Sequence, residues 1–269
     1  MLNTLKKVSN QFISDIYKID ILRFLIVYMR FLFLFYFLRK KRTFYSENQD
    51  VENIIKFKEK KKSYDKYDRI KIDETTLEHN LNYTKDIYNL RRKYHQFLGN
   101  KTKSLLSPTE SLDFIDRDNA KVLSIGPRNE SEIYQIRSFG YKWKNISAID
   151  LQSYSKKILL GDMHKINFED ESFDIILSGW TIAYSNNKKL AYEEIKRVSK
   201  KNAVICIGFT YLPENLKYDV NFSDERLIST KQIIDYFEVK PKNIFYNFDS
   251  FLINKDETRH SIIVFRLNK

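Results

Sequence analysis

Two hydrophobic patterns divide this chain. From residue 121 onward, short unbroken apolar runs alternate with stretches of helical spacing; before it lies one long apolar stretch followed by charged sequence. The runs at 122–125, 146–149, 158–160, 173–177 and 203–209 do not alternate with polar residues, as expected of strands buried on both faces. Residues 130–139, ended by Gly140, and 187–199 space their apolar residues as amphipathic helices do, and 230–237 reads as helical. Strands separated by helices predict parallel βαβ units. Two further runs, 243–248 and 261–267, have only a loop between them, which predicts an antiparallel pair closing one edge. The expectation is an α/β domain with a seven-stranded sheet, mostly parallel with one antiparallel edge strand, and helices on both faces.

The chain before residue 104 differs. Residues 1–12 are mildly basic and can open a helix. Residues 19–38 approach the roughly 20 apolar residues that cross a bilayer, but Arg23 and Arg30 interrupt them and a basic cluster follows at 39–42. An arginine near the middle of an inserted helix costs about 2.5–3.5 kcal/mol. The two arginines are seven apart and share a helix face with Asp20. This pattern suits a helix lying in a membrane interface with its arginines reaching phosphates; a helix packed on the globular domain or a second subunit is the alternative. Residues 43–74 read as an exposed linker or helix, and 77–98 as a helix capped by Gly99. Ser107-Pro108-Thr109-Glu110 has the form of a capping box, predicting a short helix through about Ile115. The expected organisation is a membrane-associating N-terminal helix over 1–45, a charged helical linker or cap over 46–103, and the α/β domain over 104–269.

Charge sharpens that division. Residues 1–70 hold 16 Lys and Arg against 8 Asp and Glu, two-thirds of the chain's +12. A basic front end suits phosphate, whether of an anionic membrane or a nucleic acid. The single cysteine, Cys206, leaves no pair for a disulfide and no set for a zinc site, and its apolar surroundings read as a buried strand. The lack of a disulfide framework suggests a cytoplasmic protein, peripheral on the inner membrane face if residues 19–42 touch lipid.

Candidate chemistry gathers where the strands end. In an open α/β sheet, ligands bind outside the carboxyl ends of the strands. Gly126, Asp150 and Asp162 would stand on that rim. Taken singly, Asp150 also reads as a helix N-cap and Asp162 as a turn residue after Gly161.

The stretch Asp162-Met163-His164-Lys165-Ile166-Asn167-Phe168-Glu169-Asp170-Glu171-Ser172-Phe173-Asp174, in phase with both preceding strands, resembles the class I S-adenosylmethionine-dependent methyltransferases, in particular their type-11-like group. The resemblance covers about residues 112–269 and implies a Rossmann-like fold with S-adenosyl-L-methionine as cofactor. It implies that Asp150, with Leu151 beside it, accepts from the ribose hydroxyls. Asp162 would accept from the adenine amine, Met163 would pack on the ring, and Ser178 would border the transfer site. The family's first loop carries an acidic residue and three alternating glycines; here it reads Ser124-Ile125-Gly126-Pro127-Arg128-Asn129-Glu130, and only Gly126 remains. One repair is that Arg128 binds the methionine carboxylate while Glu130 or Glu132 takes the amino group.

Trp180 and Tyr184 follow the fourth strand and read either as an aromatic wall for an acceptor or as core residues. His164 belongs to the motif and reads as structural; His79, His95 and His260 show no partner in the sequence, and no general base can be named. The function expected is methyl transfer to a small molecule or a glycan- or lipid-linked acceptor, as in bacterial surface-polysaccharide pathways. The alternatives are an RNA methyltransferase gripping its substrate through the basic region, and an inactive membrane-tethered scaffold of the same fold. Oligomeric state is not legible.

Overall fold

The computed structural model describes residues 2–38, 42–43, 98, 100–153, 155–185, 187–211, 213 and 226–269. The expected helix over 77–98 and the charged stretch 43–74 therefore lie, but for residues 43 and 98, outside the described residues. The strands are β1 (Arg42–Thr43), β2 (Val122–Ile125), β3 (Ile146–Asp150), β4 (Gln152–Ser153), β5 (Leu159–Leu160), β6 (Phe173–Gly179), β7 (Ser199–Tyr211), β8 (Asn243–Phe248) and β9 (Arg259–Arg266). Helices are α1 (Leu2–Lys18), α2 (Asp20–Phe31, continued by a π-helical turn over Leu32–Phe37), α3 (Asn100–Leu106), α4 (Glu130–Ser138), α5 (Lys188–Val198), α6 (Thr230–Tyr236) and the short α7 (Ser250–Ile253).

Seven strands form one sheet in the order β5-β3-β2-β6-β7-β9-β8. The first five run parallel; β9 enters antiparallel to β7, and β8 pairs antiparallel with β9 to finish that edge. The unbroken apolar runs are explained by the two faces. Leu123, Ile176, Ile205, Ile207 and Ile263 pack toward Tyr192, Ile195 and Phe237, whereas Val122, Ile175, Leu177, Val204 and Val264 pack toward Leu105, Leu106 and Ile136. Successive residues of one strand thus enter opposite cores. Cys206 is buried among them, and burial pushes its thiol pKa up, as for a small apolar residue.

One local expectation fails. The sequence Ser107-Pro108-Thr109-Glu110 starts no helix; α3 precedes it, and Ser107–Thr109 is a single 3-10 turn. The Thr109 hydroxyl donates backward to the carbonyl of Leu106 at 2.7 Å, so this segment closes a helix instead of opening one. Helix α3 also spans the boundary expected between residues 103 and 104, and its Leu105 and Leu106 belong to the core.

The N-terminal helices lie against α4. Tyr17 meets Tyr134 and Trp143 edge to face, with ring centroids 4.8 and 5.8 Å apart. Arg137 donates to the backbone and side-chain oxygens of Asn10. Arg23 and Arg30 do share a helix face, but that face is turned inward. Arg23 is buried, donating to the carbonyls of Leu98 and Tyr17 and pairing with Asp20 at 2.7 Å. The expectation that these arginines reach membrane phosphates is corrected: each finds oxygen partners within the protein, Arg30 at the carboxylate of Glu130. Leu22, Leu25, Met29 and Phe33 face outward instead. Among the described residues no helix is long and apolar enough to cross a membrane.

Candidate functional site

The rim at the carboxyl ends of β2, β3 and β6 is fixed first by Gly126. Its φ is +71°, and its N–H donates to the carbonyl of Ile149 at 2.8 Å, tying the turn after β2 to β3. A Cβ built there would lie 2.2 Å from Thr181 Oγ1, which stands just past β6. Glycine is therefore required twice, for the left-handed backbone and for the approach of Thr181. Asn129 then caps α4, its Oδ1 accepting from the N–H of Ser131 at 2.8 Å.

Asp150 ends β3, its carbonyl accepting from Gly161 N–H at 3.0 Å, and the partly exposed Leu151 follows. The buried Asp162 uses one oxygen, Oδ1, for two contacts with His164: 2.8 Å to the backbone N–H and 2.6 Å to ring Nδ1. The other ring nitrogen of His164 meets Ser185 Oγ at 2.6 Å. His164 thus clamps the Asp162 turn to the segment after β6. Met163 packs into the core cluster with Ile125 and Ile149. Ser178, near the end of β6, is wholly buried, and its hydroxyl has no hydrogen-bond partner.

In the first loop the two acidic residues behave differently. Glu130 is wholly buried and forms a bidentate pair with Arg30, at 2.6 and 2.9 Å, while the Ser155 hydroxyl donates to the same carboxylate. The expected role for Glu130 at a ligand amine is therefore corrected, because its charge is already matched by the Arg30 guanidinium, whereas the two donors to Glu132 are neutral. Glu132 remains: it accepts from the Thr102 hydroxyl at 3.0 Å and from the N–H of Arg128 at 3.2 Å. Burial raises its pKa, opposed mainly by the nearby Arg128 charge. Arg128 is half-buried at the turn into α4, beside Glu132 and Lys101.

The aromatic side of the rim is more constrained than a strand end requires. Trp180 adopts φ +62°, a left-handed conformation rare for a bulky residue. Its backbone N–H donates to Gly208 at 2.7 Å, and its indole N–H donates to His260 Nδ1 at 2.9 Å. The ring lies so close to β7 that a Cβ on Gly208 would fall 2.9 Å from it. Because Nδ1 of His260 accepts from the indole, the neutral ring carries its proton on Nε2; Thr210 Oγ1 is 3.2 Å from the same Nδ1. Lys101 Nζ sits 4.9 Å above the Trp180 ring. Trp180 and Tyr184 both line a cleft open to solvent, to which Lys101, Thr210 and Arg226 also contribute. Trp180 packs at the same time into the core cluster with Leu105 and Leu177. Lys101 and His260 are separated from Trp180 by 79 and 80 residues, and no spacing rule in the sequence links them.

A family model described as a methyltransferase domain matches residues 137–207, which run from the end of α4 into β7. No curated protein matches the chain in sequence. Among solved structures, the chain is similar to a Burkholderia thailandensis 1,6-didemethyltoxoflavin-N1-methyltransferase with bound 1,6-didemethyltoxoflavin and S-adenosylhomocysteine. Identity is 10%, the TM-score 0.48, and the match covers 72% of this chain and 88% of that one. It is also similar to the [4+2]-cyclase SpnF (11% identity, TM-score 0.47, covering 63% and 80%). A third is a SAM-dependent methyltransferase from Aquifex aeolicus (17% identity, TM-score 0.38, covering 62% and 97%).

Proposed function

We propose that this chain, whose α/β domain is of the class I S-adenosylmethionine-dependent methyltransferase type, transfers a methyl group from S-adenosyl-L-methionine to a small-molecule acceptor. The observation that carries the reading is one rim on which the Gly126 turn, Asp150 and Asp162 end neighbouring segments of a sheet with this strand order. The donor set fits the cofactor. Asp150 carries a carboxylate for ribose hydroxyls, and the second oxygen of Asp162 remains for the adenine amine. Arg128 and Glu132 supply one cation and one anion for a zwitterionic methionine group.

When bound, the cofactor supplies a sulfonium-activated methyl group. The chain's own part is alignment and exclusion of water. Trp180 is held by Gly208 and His260 and walls the acceptor side, with Tyr184 lining the same cleft. His260 Nδ1 is occupied by the indole, so a proton lost by the acceptor has no route through that nitrogen in this arrangement. Calorimetric titration of the full chain with S-adenosylmethionine tests the reading: binding is expected, weakened at least tenfold by Asp150→Ala. No heat at millimolar cofactor would sink it.

The same reading places α1 and α2 at a membrane surface, where a lipid- or glycan-linked acceptor would be met. Support comes from the outward apolar residues Leu22, Leu25, Met29 and Phe33, and Val8 and Phe12 on α1, with exposed Lys6, Lys7 and Lys18 to attract anionic headgroups. Sedimentation with vesicles containing phosphatidylserine is the test. Binding equal to that on purely zwitterionic vesicles would remove the lysines from the account.

A further inference from the structure

The cleft beside Trp180 combines features that an aromatic wall alone does not need. Two cations, Lys101 and Arg226, line it together with the indole of Trp180, the ring of Tyr184, the Thr210 hydroxyl and the apolar Leu227. Lys101 makes no ion pair among the described residues; its Nζ is placed over the indole face. The charged and titratable groups near it are Arg128 from the turn into α4, Glu132 from α4 and His260 from β9. Glu132 is already engaged by Thr102 and the Arg128 N–H. Burial, and then the Arg128 charge, bring the Lys101 pKa down to about 8, with Glu132 opposing. Burial and Lys101 likewise lower that of His260. The left-handed Trp180, held by hydrogen bonds at both backbone and ring, is strain concentrated on the wall of this cleft.

We infer that this cleft takes an oxyanion-bearing small molecule as the methyl acceptor, its carboxylate or phosphate held by Lys101 and Arg226 and its apolar body laid against Trp180 and Tyr184. The word acceptor rests on the methyl-transfer reading; the anion site itself does not. A half-buried cation without a carboxylate partner is poorly solvated until an anion arrives, and an oxyanion restores the interaction that desolvation removed. The walls set the rest of the ligand. Flat aromatic and aliphatic surface beside two cations selects a compact body with one anionic end, and the Thr210 hydroxyl adds one neutral polar contact. A cationic or neutral molecule of the same size leaves both cations unmatched.

The test uses the full chain and follows tryptophan fluorescence while benzoate or phenyl phosphate is added, with benzyl alcohol and benzylammonium as neutral and cationic counterparts. Both anions are expected to bind saturably, and the counterparts at least tenfold more weakly. The tighter of the two anions identifies the head group as carboxylate or phosphate. Lys101→Gln and Arg226→Gln should each lower anion affinity at least tenfold, and Lys101→Arg should restore it. Wild-type affinity should fall between pH 7 and pH 9 as Lys101 loses its proton, whereas Lys101→Arg should hold a flat profile, a difference that a purely structural lysine would not produce. Benzyl alcohol binding as tightly as benzoate would overturn the inference. So would a Lys101→Gln/Arg226→Gln double variant of unchanged melting temperature that keeps wild-type affinity at pH 7. If that variant does not fold, the pH profiles of wild type and Lys101→Arg decide the matter, equal profiles counting against the inference. Calorimetry with S-adenosylhomocysteine on the same preparation separates the two readings. Cofactor binding without anion binding sinks the cleft assignment alone; anion binding without cofactor binding sinks the methyl-transfer reading and leaves an anion site.

Discussion

The sheet and the N-terminal helix pair distribute the same residue types differently. In the sheet, every apolar run turns inward to one of two cores, and the rim carries the polar groups. In α2 the inward face mixes the wholly buried Val27 and Phe31 with Arg23 and Arg30, while leucines, a methionine and phenylalanines are left outside. An ordinary amphipathic helix keeps its apolar residues on one face, whereas α2 has them on both. The difference teaches that the helix pair is attached to α4 by a small apolar cluster of Val27, Phe31 and Tyr134 together with specific contacts, Arg30 to Glu130 and Tyr17 to Tyr134 and Trp143. The apolar effect that holds the sheet is still available on its outer face.

The contrast can be broken most forcefully by making one chemical change in both regions. Leu177→Ala, in the buried middle of β6, should cost about 3 kcal/mol through lost transfer energy and the cavity left behind. Leu25→Ala, on a side chain 48% exposed, should stay within about 0.5 kcal/mol. Urea unfolding of both variants checks this, and equal losses would show that the outward face of α2 is covered in solution.

A somewhat smaller effect is expected at the charged anchor. Arg30→Met removes the bidentate cation from the buried Glu130, and breaking a buried pair costs about 3–5 kcal/mol. Arg30 is itself 40% exposed, which places the expected loss near the lower end, about 2–3 kcal/mol. Restoring stability with the double variant Arg30→Met/Glu130→Gln would show that the unpaired charge, and not lost packing, is responsible. Little loss in the single variant would mean that the anchor lies in the aromatic contacts.

On membranes the comparison sharpens in the other direction. Leu25→Glu/Met29→Glu should abolish sedimentation with anionic vesicles while leaving S-adenosylmethionine affinity unchanged, because neither residue touches the rim. Loss of both would tie the outer face of α2 to the rim through the fold.

The smallest expected effect concerns pH. The folded-state pKa of Lys101, about 8, lies below its ordinary value of 10.5. Between these pH values the unfolded chain holds a proton that the folded chain has released, so stability from this group rises with pH through that window and is reduced below it. Subtracting the profile of Lys101→Met from that of wild type should isolate the rise. A flat difference would show that Lys101 is paired in solution.

Much of the α/β domain was legible along the chain because its determinants are local. Unbroken apolar runs mark strands with two buried faces, and Gly126, Asp150 and Asp162 stand where such runs end. The capping-box motif at residue 107 misled because Ser, Thr and Pro serve a helix end as readily as a start, and only the hydrogen bond from Thr109 back to Leu106 distinguishes them. At the rim, sequence alone placed Glu130 and Glu132 on equal terms. Their separation depends on Arg30, a hundred residues away, reaching one and missing the other.

By itself, then, the sequence determined the order of strands and helices in the α/β domain, the turn that only glycine can make, and the two aspartates at strand ends, since each follows from the preferences of neighbouring residues. Tertiary structure alone decided which face of α2 points inward, which glutamate is paired with a cation, and that Lys101, Trp180 and His260 meet at one cleft. Those outcomes depend on distances between elements far apart in the chain, where periodicity carries no information and packing selects one partner among several of equal local merit.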